Sequence, residues 1–284
     1  MNFRLRQAAE RAFVGALSAP ALSRVSARLS DLRVPRPVLR ALIRAYVRAY
    51  GVDLSEAAAP VDSYETFNAF FTRRLRDGAR PVATEPGIVV SPADARLQST
   101  GTVPPDGRLA QVKGRTYALA ALLGDPEQAA AFGGGLFATL YLSPSMYHRF
   151  HSPVDGRLLG WRAIPGRLYP VNPLAVRTID ALFTVNERVI LTIESEVGLM
   201  AMVMVGAANV GRISLTFAGV VTGGGRSPAR VALSEPIAVR RGQELGAFNL
   251  GSTIVLLATE PRLRPAGPAP GELLRVGQPL WRRA

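Results

Sequence analysis

The two histidines of the chain lie three residues apart, at His148 and His151. An unperturbed imidazole titrates near neutral pH, so histidine is the side chain best suited to proton transfer there. A lone histidine is usually structural. Two histidines in one short window, with none elsewhere in the sequence, leave a catalytic pair and a structural pair both open.

A carboxylate and a hydroxyl are the other groups that could join such chemistry. Asp94 follows Ser91-Pro92-Ala93 at the end of a strand-like run, where a turn aspartate is the simpler interpretation. Ser252 directly follows Gly251 and precedes an apolar run. A serine hydroxyl can attack a neighbouring carbonyl once a base removes its proton. Glycine leaves that carbonyl open and permits strained backbone angles, although an ordinary turn before a strand explains the same residues.

Short apolar runs rich in β-branched residues lie between glycine, proline and aspartate, a pattern typical of β-strands. They are residues 87–91, 136–142, 189–195, 200–205, 213–222 and 253–258. Strands that follow one another without alternating helices favour a mainly antiparallel sheet over a doubly wound one. Helices are predicted at 64–75, ended by a turn at Asp77-Gly78, and at 117–131. The predicted fold class is α+β, with N-terminal amphipathic helices followed by a mainly antiparallel β body.

The N-terminal segment carries most of the positive charge. The chain has a net charge of +13, and residues 1–50 hold ten arginines against Glu10 and Asp31, which gives 10 − 2 = +8. This charge implies attraction to an anionic partner such as nucleic acid, an acidic ligand or an anionic membrane leaflet. The body of the chain is close to balanced.

Two helices are predicted in this basic segment, at 3–17 and 38–50. In the second helix the apolar residues recur at the spacing of one helix face, and Arg40, Arg44 and Arg48 lie on the other. A helix of this kind can lie in a membrane interface or pack on its own domain. Its pattern does not distinguish these two arrangements.

Composition excludes several kinds of site. The chain has no cysteine, which excludes disulfides, thiolate metal sites and a cysteine nucleophile. Its single lysine is Lys113, so a mechanism that needs a lysine Schiff base must use that residue. The longest apolar run, 199–210, is shorter than the about 20 residues of a membrane-spanning helix. No signal peptide is evident, so we expect a cytoplasmic protein that can sit on a membrane.

In their order along the chain, these motifs are those of a known family. The sequence resembles the bacterial phosphatidylserine decarboxylase family over nearly its full length. The matching segments are YETFNAFFTRRLRDGARPV (64–82), SPADA (91–95), QVKGRTYALAALLG (111–124), YLSPSMYHRFHSPVDG (141–156), GRLYPVN (166–172), NERV (186–189), VGAANVGRI (205–213) and RGQELGAFNLGSTIVLL (241–257). Two positions depart from the family pattern. Ala95 stands where the family has glycine, and Pro173 where many members have a polar residue.

The resemblance implies a self-cleaving enzyme. The serine of its LGST motif, here Ser252, is expected to attack the carbonyl of Gly251 and to become a covalent pyruvoyl group. His151 matches the family's general base and Asp94 the carboxylate that orients it, a Ser-His-Asp set of roles. The pyruvoyl cofactor is expected to form a Schiff base with phosphatidylserine and decarboxylate it to phosphatidylethanolamine. His148 matches a second histidine that assists protonation.

The resemblance also implies an organisation and a set of partners. We expect a membrane-associating helical segment, 1–60, and a catalytic β-rich domain, 61–284. Cleavage is expected to divide the chain into a β chain, 1–251, and an α chain, 252–284, which form a heterodimer and leave further oligomerisation open. The anionic membrane surface is the expected second partner. The enzyme is therefore expected to be peripheral, on the cytoplasmic face of the cell membrane.

Three alternatives stay open on the sequence. Asp94, His148 and His151 could be the ligands of a zinc-dependent hydrolase, since catalytic zinc takes three protein ligands and an open position. A pyridoxal-phosphate decarboxylase would need Lys113, which has no supporting signature. A nucleic-acid-binding protein would explain the charge, but no nucleic-acid motif is present, and we expect no nucleic-acid partner.

Overall fold

The protein is described by a computed structural model that covers residues 29–112, 115–207, 212–222, 229–249 and 252–284. Three of the sequence features lie outside these residues. They are the helix predicted at 3–17, Lys113 and Gly251.

The helices of the described residues are short except for the first. They are α1 (Arg36–Tyr50), α2 (Phe67–Phe71), α3 (Leu119–Leu123), α4 (Pro126–Ala130), α5 (Pro173–Thr178) and α6 (Leu182–Val185), with one 3-10 turn at Val61–Ser63. None of the helices in the described ranges is long and apolar enough to span a membrane.

The strands make up most of the body, and their ladders are antiparallel. They are β1 (Ile88–Val90), β2 (Ala95–Thr102), β3 (Arg108–Val112), β4 (Arg115–Ala118), β5 (Leu136–Leu142), β6 (Arg149–His151), β7 (Gly156–Ile164), β8 (Arg188–Ser195), β9 (Gly198–Gly206), β10 (Ile213–Leu215), β11 (Gly219–Val220), β12 (Ala229–Val239), β13 (Glu244–Phe248), β14 (Ser252–Ala258), β15 (Leu263–Pro265), β16 (Leu273–Leu274) and β17 (Pro279–Arg283). The α+β class with a mainly antiparallel body is confirmed.

An eight-stranded sheet forms the centre of the molecule, in the order β12-β7-β8-β9-β14-β5-β2-β16. A four-stranded sheet, β11-β10-β13-β6, and a three-stranded sheet, β1-β17-β15, accompany it, and β3 and β4 form a hairpin. Strand β14 lies near the middle of the large sheet, paired with β9 on one side and β5 on the other. The start of β14 is thus enclosed by neighbours on both sides.

Both faces of the central sheet are buried. Ile254 and Leu256 of β14 belong to the core that it shares with β1, β6, β13 and β17. Val255 and Leu257 belong to a second core, which it shares with the β3–β4 hairpin and the short helices. A strand buried on both faces needs apolar residues at every position, not at alternate ones. This explains why residues 254–258 are all apolar.

Helix α1 packs on the body by one part of its apolar face only. Leu39 and Ile43 are buried in a small core with Phe70 of α2. Val38, Leu42 and Tyr50 are 55%, 50% and 52% exposed. The helix predicted at 38–50 is confirmed.

Two helix predictions were too long. The helix predicted at 64–75 is confined to α2, because Ala58 N–H donates to the Arg74 carbonyl and Arg76 N–H to the Glu56 carbonyl, which hold the later residues extended. The helix predicted at 117–131 begins only at Leu119, since Tyr117 lies in β4. Pairing with another segment therefore overrides the local helix preference in both places.

Both departures from the family pattern fit their local structure. Ala95 begins β2 and pairs with Leu274. In the described part of the chain Ala181 is the one non-glycine residue with positive φ, so Ala95 needs none of the backbone freedom of glycine. Pro173 begins α5, where its missing N–H costs nothing, and Asn172 caps that helix by accepting from Ala175 N–H at 3.0 Å.

Candidate active site

Ser252 is the first residue of β14 and is fully buried. It pairs with Leu142 of β5 and with Gly206 of β9. Its Oγ has no hydrogen-bond partner in the described ranges. Buried hydroxyls are normally paired, and an unpaired one calls for an explanation such as strain or a catalytic role. In the described ranges the Ser252 hydroxyl is therefore not held by another group, and it shares this property with the hydroxyl of Thr253.

His148 is buried in the loop before β6, with its ring 4.1 Å from that of Phe71. Its Nδ1–H donates to the Met146 carbonyl at 2.8 Å, and its own carbonyl accepts from Phe248 N–H at 2.9 Å. Burial lowers the pKa of His148 to about 3, opposed by the Met146 hydrogen bond and reinforced by the charge of Arg73. The ring is neutral at pH 7, and its Nε2 has no partner among the described residues.

His151 ends β6 and is also neutral at pH 7. Burial lowers its pKa, while the Gly242 carbonyl and the charges of Glu244 and Asp94 oppose this shift. Its Nδ1–H donates to the Gly242 carbonyl at 2.9 Å, which leaves Nε2 as the basic nitrogen. The hydroxyl of Tyr147 lies 3.2 Å from that Nε2. Burial raises the pKa of Tyr147 to about 12, so this hydroxyl keeps its proton.

Asp94 and His151 make no hydrogen bond to each other in this structure, although both are described. The Asp94 carboxylate accepts from Arg80 Nε at 2.9 Å, from Arg80 Nη2 at 2.5 Å and from Val276 N–H at 2.9 Å. The Gly242 carbonyl, not a carboxylate, orients the ring of His151. Asp94 acts on His151 through its charge alone.

Helix α2 and the two residues after it contact both the segment that leads to His148 and the segment before Ser252. The sequence alone did not indicate these contacts. Asn68 Nδ2 donates to Asn249 Oδ1 at 3.0 Å, three residues before Ser252. Phe71 packs on His148, and Arg73 Nη2 donates to the Ser145 carbonyl at 3.3 Å. The aromatic spacing at 67–71 predicts a buried helix face, but it carries no signal for what that face covers.

Comparison with known proteins identifies the family. The family model for phosphatidylserine decarboxylase matches residues 67–282. The chain belongs to the phosphatidylserine decarboxylase family. It is similar to a phosphatidylserine decarboxylase proenzyme of Anaeromyxobacter sp. (strain K), with 46% identity over 95% of this chain and 98% of that protein.

Two further relatives carry the same description. The protein of Azotobacter vinelandii (strain DJ / ATCC BAA-1303) is 43% identical over 91% of this chain and 92% of its own length. That of Myxococcus xanthus (strain DK1622) is 42% identical over 86% of each chain. The resemblance stated from the motifs is therefore confirmed, and the chain is a carboxy-lyase of this family.

The zinc alternative finds no support in the geometry. In the described ranges no group of three or more histidine, aspartate or glutamate side chains is arranged to hold a metal ion. Asp94, one of its three proposed ligands, is occupied by Arg80 and the Val276 amide. The chain belongs to a decarboxylase family, and the three proposed ligands do not form a metal-binding group in the described ranges. Both findings argue against a zinc-dependent hydrolase.

Proposed function

We propose that this chain is a proenzyme that cleaves itself between Gly251 and Ser252 and then decarboxylates phosphatidylserine to phosphatidylethanolamine. The observation that carries the proposal is the hydroxyl of Ser252, which is buried at the start of a central strand without a hydrogen-bond partner among the described residues. Burying a hydroxyl without a hydrogen-bond partner destabilises the folded chain, so such a group calls for a reason, and a role as a nucleophile is one. The names of the relatives support both the proenzyme and the substrate.

Self-cleavage follows from the chemistry of adjacent glycine and serine. Ser252 Oγ attacks the Gly251 carbonyl carbon, the C–N bond breaks, and an ester replaces the amide. Loss of the Ser252 α-proton then expels the Gly251 carboxylate and leaves dehydroalanine at position 252. Water hydrolyses its enamine to the pyruvoyl carbonyl and releases ammonia. The bond is cut without an external reagent other than water.

We propose His151 as the general base and Asp94 as its electrostatic support. The neutral ring with a basic Nε2 is the form that accepts a proton. The charge of Asp94 favours the imidazolium that results. The Gly242 carbonyl holds Nδ1–H in place, as a carboxylate does in a Ser-His-Asp triad.

In the mature enzyme, the pyruvoyl carbonyl would condense with the substrate amine and accept the electron pair that the departing carboxylate leaves behind. His148 is proposed to handle the proton that replaces CO₂. Its Nε2 has no partner among the described residues and is therefore available. Because His148 is neutral in this structure, it must first gain a proton at Nε2 before it can donate one.

The two product chains are proposed to stay together as a heterodimer at the cytoplasmic face of the membrane. After cleavage, residues 252–284 would still supply β14 to the central sheet, β16 to β2 and β17 to β1. The exposed apolar side chains of α1 support the membrane contact, with 1–60 as the associating segment and 61–284 as the catalytic domain.

Intact mass under denaturing conditions tests the proposal. The purified protein should give two chains, 1–251 and a partner of 284 − 251 = 33 residues that has a carbonyl and no free amine at its start. Ser252→Ala should give one full-length, inactive chain. Thr253→Val is the matched control, because Thr253 is the next residue of β14 and its buried hydroxyl is also unpaired in the described ranges. That variant should be cleaved, and decarboxylation by Ser252→Ala would refute the mechanism.

A further inference from the structure

Arg73 is a buried cation without a carboxylate partner in the described ranges. It is 4% exposed, and no aspartate or glutamate of these ranges forms an ion pair with it. Its Nη2 donates to the Ser145 carbonyl at 3.3 Å, its guanidinium carbon lies 5.5 Å from the ring centroid of Phe70, and its Nε has no partner. A buried charge is costly unless it is paired and hydrogen-bonded.

Other poorly exposed arginines of the chain have partners. Arg80 pairs with Glu56 and Asp94, Arg149 pairs with Glu244, and Arg188 donates to backbone carbonyls only. The Nε of Arg73 is unpaired in the described ranges, as is that of Arg241, but Arg241 pairs with Asp155 whereas Arg73 has no carboxylate partner there. An anion supplied from outside the chain would satisfy it.

The position of Arg73 in the fold indicates which anion it would bind. Phe71, two residues earlier, packs on His148, and Ser145 begins the short stretch that leads to the same histidine. Asn68 of the same helix reaches Asn249, which precedes Ser252 by three residues, a stretch of chain that spans at most about 10 Å. An anion bound at Arg73 would therefore lie near His148, beside the helix that also reaches the segment before Ser252.

Phosphatidylserine offers two anionic groups, a carboxylate and a phosphodiester. The carboxylate leaves as CO₂, so its charge moves away as the reaction proceeds. An arginine bound to it would stabilise the reactant more than the transition state and slow the reaction. The phosphodiester keeps its charge throughout, and the planar fork of a guanidinium matches its oxygens.

We propose that Arg73 binds the phosphodiester of the substrate head group. The inference rests on the proposed function, since it names the contact that holds the substrate at the same site. Arg73 thereby fixes the distance from the phosphate to the reacting amine, and it favours phosphoserine lipids over serine compounds that lack a phosphate.

The test is inhibition by sn-glycero-3-phosphoethanolamine, which has the phosphodiester and the amine but no carboxylate. Arg73→Gln should self-cleave, and both its KM for a short-chain phosphatidylserine and its inhibition constant for this compound should rise about 10- to 100-fold, as expected for a charge-assisted hydrogen bond. Arg74→Gln is the matched control. It removes the same charge from the neighbouring residue, which is exposed, and both constants should stay within about twofold of wild type.

The outcomes separate the possibilities. A raised KM with unchanged inhibition would mean that Arg73 binds the carboxylate, which overturns the phosphate assignment. Unchanged KM and inhibition would overturn the inference altogether. If Arg73→Gln does not self-cleave, Arg73→Lys takes its place, because a lysine cannot supply forked donors, and unchanged constants in that variant overturn the proposal. Failure of the wild-type protein to self-cleave and release CO₂ would instead refute the proposed function.

Discussion

Each histidine of the candidate active site donates its Nδ1–H to a backbone carbonyl, Met146 for His148 and Gly242 for His151. This shared geometry fixes the same tautomer in both rings and leaves Nε2 as the basic atom of each. Their surroundings differ. Nε2 of His151 faces the Tyr147 hydroxyl, whereas Nε2 of His148 is unpaired in the described part of the chain. The two rings are therefore suited to different proton-transfer steps.

The rate of self-cleavage should follow the neutral form of His151. Its pKa lies below the ordinary value of 6.5, so the base form dominates at and above neutral pH and is lost only as the pH falls below 6.5. Cleavage of proenzyme made by cell-free synthesis should be constant from pH 7 to 8 and slow on the acid side, and His151→Ala should stop it. His148→Gln is the comparison and should still be cleaved but turn over substrate slowly. Normal cleavage of His151→Ala would exclude this base.

Residue types and order in the sequence were enough to select His148, His151, Asp94 and Ser252 as candidates, but their partners could not be predicted. The ion pair between Asp94 and Arg80 joins residues 14 positions apart, and Val276 N–H approaches Asp94 from 182 positions away. Only the folded structure brings Asp94, Arg80 and Val276 together. Their roles in catalysis stay predictions until the variants are measured.

Arg188 connects three elements, since it lies on β8 and donates to carbonyls at the ends of two helices. Its Nε and Nη2 donate to Leu122 and Ala121 of α3 at 2.7 Å, and its Nη1 donates to Thr184 of α6 at 2.7 Å. Burial lowers the pKa of Arg188 to about 10, which still leaves it charged at pH 7. The C-terminal ends of both short helices thus depend on one side chain.

Arg188→Met should destabilise the fold by about 3 kcal/mol or more, because it leaves several buried carbonyls without a donor. The thermal midpoint is best measured in a Ser252→Ala background, where the chain stays in one piece. Arg157→Met provides the comparison. Arg157 lies in the adjacent strand β7 and pairs with Glu194 at the surface, where the two side chains are 62% and 49% exposed. Its substitution by methionine should therefore lower the free energy of unfolding by less than about 1 kcal/mol. Equal effects of both variants would contradict this role for Arg188.

The elements that the sequence predicted best are strands that are buried on both faces. The run at 136–142 coincides with β5, because a strand buried on both faces is mostly apolar. The pattern missed β7 and β12, whose arginines, glycines and exposed positions interrupt any apolar run. Helix lengths failed for a different reason, since the partners that cut α2 short lie elsewhere in the chain.

At the scale of the whole molecule, sequence predicted the fold class but not the order of the strands. The central sheet joins β5 to β14 and β14 to β9, pairings between segments far apart in the chain. Local periodicity does not record such contacts. The sequence therefore indicated the apolar strands of the body but missed others such as β7 and β12, and it did not indicate the position of Ser252 inside the sheet.

The outer side of α1 should bring the whole molecule to anionic lipid. Val38 and Leu42 are exposed there, on a helix that also carries Arg44 and Arg48. Wild-type protein should float with vesicles of phosphatidylglycerol and phosphatidylcholine, and Leu42→Glu should reduce the floated fraction severalfold. Val231→Glu is the control, since Val231 is exposed on β12, and it should float as wild type does. Equal flotation of both variants would argue against membrane contact through α1.

The place of β14 in the middle of the large sheet gives the molecule a fixed order of events. In the intact chain β14 docks as part of one polymer, joined to β13 by a short connection. In the proposed mature enzyme the same strand belongs to a separate 33-residue peptide (284 − 251), which after unfolding would have to find its place between β5 and β9 by diffusion. We therefore expect folding to precede self-cleavage, and we expect the cleaved enzyme to refold poorly once it has been unfolded.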